Sequence, residues 1–131
     1  MTDQESPAVR TALAYYRVWT QGNLDEAMAY LADDLVCDAP AGRIEGVAAY
    51  REFLTPFARM LVRAELIAAF GDDERATVVY DTATTLVPSG PAAECVTVRD
   101  GRITYSRFIF DRLPFQLARS SGPGAGPTIG A

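Results

Sequence analysis

Acid–base chemistry in this chain can come only from aspartate, glutamate, tyrosine and cysteine, because the sequence contains neither histidine nor lysine. The lack of histidine excludes Ser-His-Asp and Cys-His nucleophilic sites and every metal site that uses imidazole. The lack of lysine excludes Schiff-base catalysis. The most strongly patterned source of candidates is the stretch 15–40, YYRVWTQGNLDEAMAYLADDLVCDAP. Its aromatic and carboxylate side chains suit the lining of a small-molecule pocket.

The bulk composition is typical of one globular domain. The chain has 131 residues, of which 49% are hydrophobic and 22% charged, and this composition argues against disorder. A net charge of −5 argues against nucleic acid and anionic membranes as partners. Cys37 and Cys95 lie far apart without CxxC spacing, so we expect reduced thiols in a cytoplasmic protein. No apolar run approaches the ~20 residues of a membrane-spanning helix.

The first element expected to position the stretch is an amphipathic helix. The Ser6-Pro7 pair is typical of a helix start, with serine as the N-cap and proline at the first helical position. Apolar residues then recur at helical spacing as far as Trp19. Gly22 follows and is expected to end the helix in a left-handed conformation.

A short second helix and a strand are predicted next. Asn23 and Glu26 have the spacing of a capping box, and the pair Asp33-Asp34 is expected to break the helix in an acidic turn. The segment 35–38 then predicts a short strand, which Pro40 stops.

The rest of the chain predicts one more helix and then a run of strands. The third helix starts near Gly46, and Pro56 should kink or stop it because proline cannot donate the backbone hydrogen bond. The spacing of apolar residues then changes from helical to alternating, which predicts strands over 62–70, 75–87, 92–98 and 102–112. The last two are expected to form a hairpin in which Gly101 supplies a positive φ.

Helices first and strands last is an α+β pattern. We expect a single domain over 1–117 and a flexible Gly/Pro-rich tail over 118–131. Apolar residues occur on both faces of the predicted strands, so the sheet face away from the helices should pack on a second copy. The sequence therefore predicts a homodimer.

This order of elements resembles the nuclear transport factor 2-like superfamily, which includes ketosteroid isomerases and SnoaL-like polyketide cyclases. The matching segments are the stretch 15–40, GVAAYREFL and VRDGRITYSRFIFD, within about residues 8–112. The resemblance implies a cone-shaped α+β barrel, in which a curved, mostly antiparallel sheet wraps over three N-terminal helices. It also implies a hydrophobic pocket and neither a metal nor an organic cofactor.

The resemblance implies three catalytic residues. Ketosteroid isomerase uses an aspartate base and an oxyanion hole made of a tyrosine and a protonated aspartate. The tyrosine position matches Tyr15, seven residues before Gly22, and the protonated acid matches Glu94. The base position is occupied by Ala39, one residue after Asp38. A one-residue shift turns a strand side chain to the other face, so Asp38 could serve only if the strand ends or bulges there.

Each of these residues also has a structural interpretation. Tyr15 suits a core position, and Glu94 could pair with Arg107 on the neighbouring strand or lie at a solvated strand end. The side chains expected to form the substrate-binding wall could likewise be ordinary core residues. They are Trp19, Phe53, Phe57, Ser106, Phe108 and Phe110.

Three functions remain open from the sequence. The first is an isomerase or cyclase acting on a hydrophobic carbonyl compound such as a polyketide, steroid or terpenoid. In that case Tyr15 and Glu94 stabilise an enolate oxygen and Asp38 moves the proton. The second is a non-catalytic dimeric ligand-binding or structural module, which the missing base favours. The third is a protein-binding adaptor that uses an exposed sheet face.

Overall fold

Three helices and a curved six-stranded sheet make up most of the computed structural model, which describes residues 6–121. The helices are α1 Pro7–Thr20, α2 Leu24–Met28, α3 Val47–Met60 and a further α4 Leu113–Ser121. The strands are β1 Leu31–Ala39, β2 Gly42–Glu45, β3 Leu61–Gly71, β4 Arg75–Thr84, β5 Ala92–Arg99 and β6 Arg102–Phe110. None of the helices within this part of the chain has the length and hydropathy needed to cross a bilayer.

The strand order in the sheet is β2-β1-β6-β5-β4-β3. Every neighbouring pair is antiparallel except β1 and β6, which run parallel, and the sheet does not close into a barrel. The predicted α+β class and the curved, mostly antiparallel sheet over three N-terminal helices are therefore confirmed.

Helix α1 supplies much of the core. Ser6 Oγ accepts a hydrogen bond from the Val9 amide, and Pro7 stands at the first helical position, as the sequence predicts. The buried stripe consists of Ala8, Val9, Ala12, Leu13, Tyr15, Tyr16 and Trp19. This stripe packs against the inner face of the sheet, so it places Tyr15 and Trp19 inside the cone.

The β5–β6 hairpin confirms the predicted turn. Asp100 has φ 52° and Gly101 has φ 74°, as in a type I′ turn between two residues that pair across the strands. The resulting register sets Glu94 opposite Phe108 and Ala92 opposite Phe110.

Several local predictions in the first half are wrong. Asn23 makes no side-chain cap hydrogen bond, so the capping box does not form. Asp33 and Asp34 are exposed residues of β1 and do not form a turn, because the strand already pairs with β6 at Leu31. Of the two outcomes expected at Pro56, a kink or a stop, the stop does not occur, because helix α3 continues to Met60. Packing of its apolar face on the core outweighs the one lost backbone hydrogen bond.

The long fourth strand is shorter than predicted. It ends at Thr84, whose Oγ1 accepts hydrogen bonds from the amides of Leu86 and Val87 and so folds the chain into a turn.

Helix α4 was not predicted. The carboxylate of Asp111 accepts the Leu113 amide at 2.9 Å and so satisfies one free donor at the start of this helix. The predicted flexible segment 118–131 therefore begins inside α4, and residues 122–131 of it lie outside the described residues.

Candidate functional site

An apolar pocket of about 280 Å³ lies between α3, α4 and the inner face of the sheet. Its size is near the lower end of the range of ligand pockets, about 300–1,000 Å³. The larger apolar side chains of its wall are Phe53, Leu54, Phe57, Met60, Phe108, Phe110 and Phe115. Four of the six predicted substrate-binding residues therefore line it, namely Phe53, Phe57, Phe108 and Phe110. Trp19 and Ser106 do not.

Trp19 lies behind this wall, fully buried. Its ring centroid is 5.9 Å from that of Phe57 on the pocket side and 6.0 Å from that of Tyr80 on the inner side. Its indole nitrogen has no hydrogen-bond partner within residues 6–121. Trp19 therefore links the apolar pocket to a second group of side chains deeper in the cone.

That deeper group contains a buried acid. Glu94 is 4% exposed, and its carboxylate accepts a 2.5 Å hydrogen bond from the Tyr80 hydroxyl. Burial raises the pKa of Glu94 to about 7, although the bond from Tyr80 acts in the opposite direction. The acid and the carboxylate are both populated near neutral pH. The alternative pairing with Arg107 is not found, because Arg107 lies on the other face of β6, near Asp38.

Tyr15 is the other predicted oxyanion residue inside the cone. Its hydroxyl is 2.7 Å from that of Tyr50 on α3. Burial raises the pKa of both phenols well above the usual range, so both stay protonated. The pair has two hydroxyl hydrogens, and the hydrogen bond between the two oxygens uses only one of them. The other O–H is available to donate to a ligand.

The structure brings Tyr15 and Glu94 into one packed region. Both border a narrow gap, together with Tyr16, Val78 and Ile103, that is too small to hold a water molecule. Neither residue lines the 280 Å³ pocket. Glu94 lies one inward-facing position along β5 from Ala92, which does line it.

Asp38 lies on the opposite face of the sheet. Arg43 donates to both of its carboxylate oxygens at 2.8 and 2.9 Å, and the Tyr105 hydroxyl donates at 2.7 Å. These hydrogen bonds hold the pKa of Asp38 well below its usual range. Strand β1 runs on to Ala39 without ending or bulging at Asp38, so the condition for an inward side chain is not met. The expectation that Asp38 joins Tyr15 and Glu94 is corrected accordingly.

The inward residue at this level of β1 is Cys37, which is fully buried beside Ser106 of β6. Burial, followed by the charge of Glu94, raises the pKa of Cys37 to about 12, so it remains a thiol. Ser106 faces the interior as predicted, but its hydroxyl has no hydrogen-bond partner within the described residues. Both cysteines are free thiols.

Sequence reasoning missed Tyr50 and Tyr80 as polar partners. Tyr80 has the same strand parity as Val78, which pairs with Glu94 across β4 and β5. The alternation of side chains along β4 could therefore have indicated Tyr80 as a partner of Glu94, but only if the pairing of β4 with β5 was known. Tyr50 belongs to the apolar face of α3, and nothing local indicates that its hydroxyl meets Tyr15.

The family model of the SnoaL-like domain matches residues 12–106. A crystal structure of a protein from Kribbella flavida is 54% identical, covers 87% of this chain and 94% of its own, and superposes with a TM-score of 0.86. No curated protein is significantly similar in sequence.

Two more distant structures show the same fold. An NTF2-like protein from Cytophaga hutchinsonii is 20% identical over 88% of this chain and 98% of its own, with a TM-score of 0.70. A protein from Xanthomonas campestris, named as a candidate polyketide cyclase, is 24% identical over 86% and 96%, with a TM-score of 0.68. The family match and the close structural relative agree with the element order and the cone-shaped sheet, and the chain belongs to the SnoaL-like domain family within the NTF2-like fold.

Proposed function

We propose that this protein is an isomerase or cyclase that binds a hydrophobic carbonyl compound, such as a polyketide, steroid or terpenoid, in its apolar pocket. The observation that carries the proposal is Glu94, a buried carboxyl group with a pKa of about 7, one inward position along β5 from the pocket wall at Ala92. A carboxyl group is most useful as a general acid or base when its pKa is close to the working pH.

The chemistry follows from the two protonation states of Glu94. Its carboxylate takes a proton from the carbon next to the substrate carbonyl, so that a C–H bond breaks and an enolate forms. A phenolic O–H from the Tyr15–Tyr50 pair donates to the enolate oxygen. In an isomerase the Glu94 acid returns the proton to another carbon. In a cyclase the enolate carbon attacks a second carbonyl, so that a C–C bond forms as the C=O π bond opens, and the resulting alkoxide takes the proton back from the Glu94 acid.

Access to Glu94 sets a structural condition. Phe108 is the cross-strand partner of Glu94 and also lines the pocket, where its ring packs edge-on against Phe53 with centroids 5.9 Å apart. A substrate that reaches the carboxyl group must displace this pair. We therefore propose that substrate binding and movement of the Phe53 and Phe108 rings occur together.

A non-catalytic ligand-binding module is the second candidate. It is supported by the hydrogen bonds that Glu94 and Tyr15 already make and by the narrowness of the gap beside them. The position of Asp38 on the outer face supports it as well, because the expected base is then missing.

Proton exchange separates the two candidates. We would incubate the protein with 1-tetralone, a flat apolar ketone, in D₂O and follow loss of the α-proton signals by NMR. We expect acceleration over buffer that falls about a hundredfold in Glu94→Gln, the lower limit for loss of a general base. Glu52→Gln, an exposed change on α3, is the matched control and should keep the acceleration. Binding of the ketone without acceleration would favour the non-catalytic module.

We also propose a homodimer formed through the sheet. Large apolar side chains are exposed on β3 and on the outward side of β6, namely Val62, Leu66, Ile67, Phe70 and Ile109. Exposed apolar patches of this kind mark interaction surfaces. The two free thiols fit a reducing compartment, and we place the protein in the cytoplasm.

A further inference from the structure

The side of helix α4 that borders the pocket combines one buried aromatic residue, Phe115, with three exposed polar side chains. Residues three, four and seven positions apart on a helix share one face. One such face borders the pocket. Counting the residue just before α4, it consists of Arg112, Phe115, Gln116 and Arg119. Leu113 and Leu117 are 55% and 58% exposed. This is the reverse of the usual arrangement, in which the leucines of a surface helix face the protein.

The two arginines of this face have no acidic partner in the part of the chain that the structure describes. Within residues 6–121, no carboxylate lies within ion-pair distance of Arg112 or Arg119. The nearest acid in sequence, Asp111, uses its carboxylate to accept the Leu113 amide. Among residues 6–121, no acidic side chain lines the pocket. In a chain of net charge −5, this pocket therefore has a cationic rim.

We propose that the ligand of this pocket is a hydrophobic carboxylate, with its apolar body among the phenylalanines and its anionic group held by Arg112 and Arg119. The guanidinium group presents paired N–H donors that match the two oxygens of a carboxylate. The Gln116 amide on the same face supplies a further donor. The inference rests on the proposed function of the pocket and narrows its substrate class to keto acids, with the ketone toward Glu94 and the carboxylate toward α4.

The test compares two isosteric probes, 2-naphthoate and 2-naphthamide, by isothermal titration calorimetry at neutral pH and low salt. They share one apolar body and differ in charge. We expect the anion to bind about fivefold to tenfold more tightly, the range for one or two partly exposed ion pairs. Added salt should reduce that preference. Arg112→Gln/Arg119→Gln should abolish the preference by lowering the affinity for the anion to about that for the amide.

Arg17→Gln is the matched control, since Arg17 is an exposed arginine on α1 away from the pocket, and it should keep the preference. Equal binding of the two probes, or a preference that survives in the double variant, would overturn the inference and leave the apolar pocket as the ligand site. Failure of both probes to bind would overturn the inference together with the proposed role of the pocket.

Discussion

The Tyr80 hydroxyl donates a 2.5 Å hydrogen bond to the carboxylate of Glu94 in the buried interior of the cone. Two effects on Glu94 oppose each other there. The hydrogen bond favours the charged form, whereas removal from water favours the neutral acid, and burial is the larger effect. The outcome is a core carboxyl group whose charge changes near neutral pH.

Glu94 should make the stability of the fold depend on pH. Its pKa is about 7 in the folded chain against an ordinary 4.5, so the folded state keeps a proton that the unfolded chain loses. The free energy of unfolding should therefore fall by about 3 kcal/mol from this group as the pH rises from below 4.5 to above 7. Glu94→Gln should show a smaller fall between about pH 5 and about pH 8, measured by urea unfolding and Trp19 fluorescence.

Glu52→Gln is the control for this measurement and should follow the wild-type curve, because Glu52 is exposed. If the curves of wild type and Glu94→Gln run parallel across this range, Glu94 does not have a raised pKa in the folded state.

Asp38→Asn should leave ligand binding and ketone proton exchange within about twofold of the wild type. The Asp38 carboxylate bonds to Arg43 and Tyr105 on the outer face of the sheet, so its loss does not alter the pocket. The measurements are probe calorimetry and α-proton exchange. A loss of exchange as large as that of Glu94→Gln would restore Asp38 as the base.

Phe115→Ala should weaken binding of a naphthyl probe by about tenfold, the effect of losing roughly 1.4 kcal/mol of apolar contact. The Phe115 ring is the buried anchor of α4, with centroids 6.0 Å from Phe57 and 6.1 Å from Phe110. Leu117→Ala on the same helix is the control, because Leu117 faces solvent, and its affinity should match the wild type. Equal affinities in all three proteins would show that α4 does not contribute to the pocket.

Phe70→Glu/Ile109→Glu should convert a dimer into a monomer in light scattering after gel filtration. Both side chains are at least half exposed on the sheet, at 61% and 50%, and a buried unpaired carboxylate at a dimer interface is costly. Leu117→Glu places the same charge on an equally exposed apolar residue outside the sheet and should remain dimeric. A wild type that runs as a monomer at all concentrations would refute the homodimer and leave this sheet face free for a different protein.

Much of the fold could be predicted from periodicity and turn chemistry. The Asp100-Gly101 turn has a local cause. Strand alternation put Ser106, Phe108 and Phe110 on one face of β6, but the sequence left open which face is the inner one, and the structure shows that it is theirs. The partners of Glu94 and Asp38 could not be predicted in the same way. Tyr80 reaches Glu94, and Tyr105 reaches Asp38, only because of the strand order and the register, which no local pattern encodes.

Helix α4 was not predicted although its start has a local sequence signal. Asp111 and Pro114 form a start signal, with an acid that caps the first amides and a proline in the first turn. The spacing of Arg112, Gln116 and Arg119 is also helical. The helix is nine residues long, and the segment that follows it is rich in glycine and proline, which is typical of irregular structure.

The parallel β1–β6 pair has a consequence for how the chain folds during synthesis. It joins residues 31–38 to residues 103–107, so the centre of the sheet needs both ends of the chain. On the ribosome, β1 can pair with β2 early, but its other edge stays open until β6 emerges. Pairings across so long a loop slow folding, and an open edge invites association with other nascent chains. A chain that stops before β6 is therefore left with two separate half-sheets, β2-β1 and β5-β4-β3, each with an unpaired edge where β6 belongs.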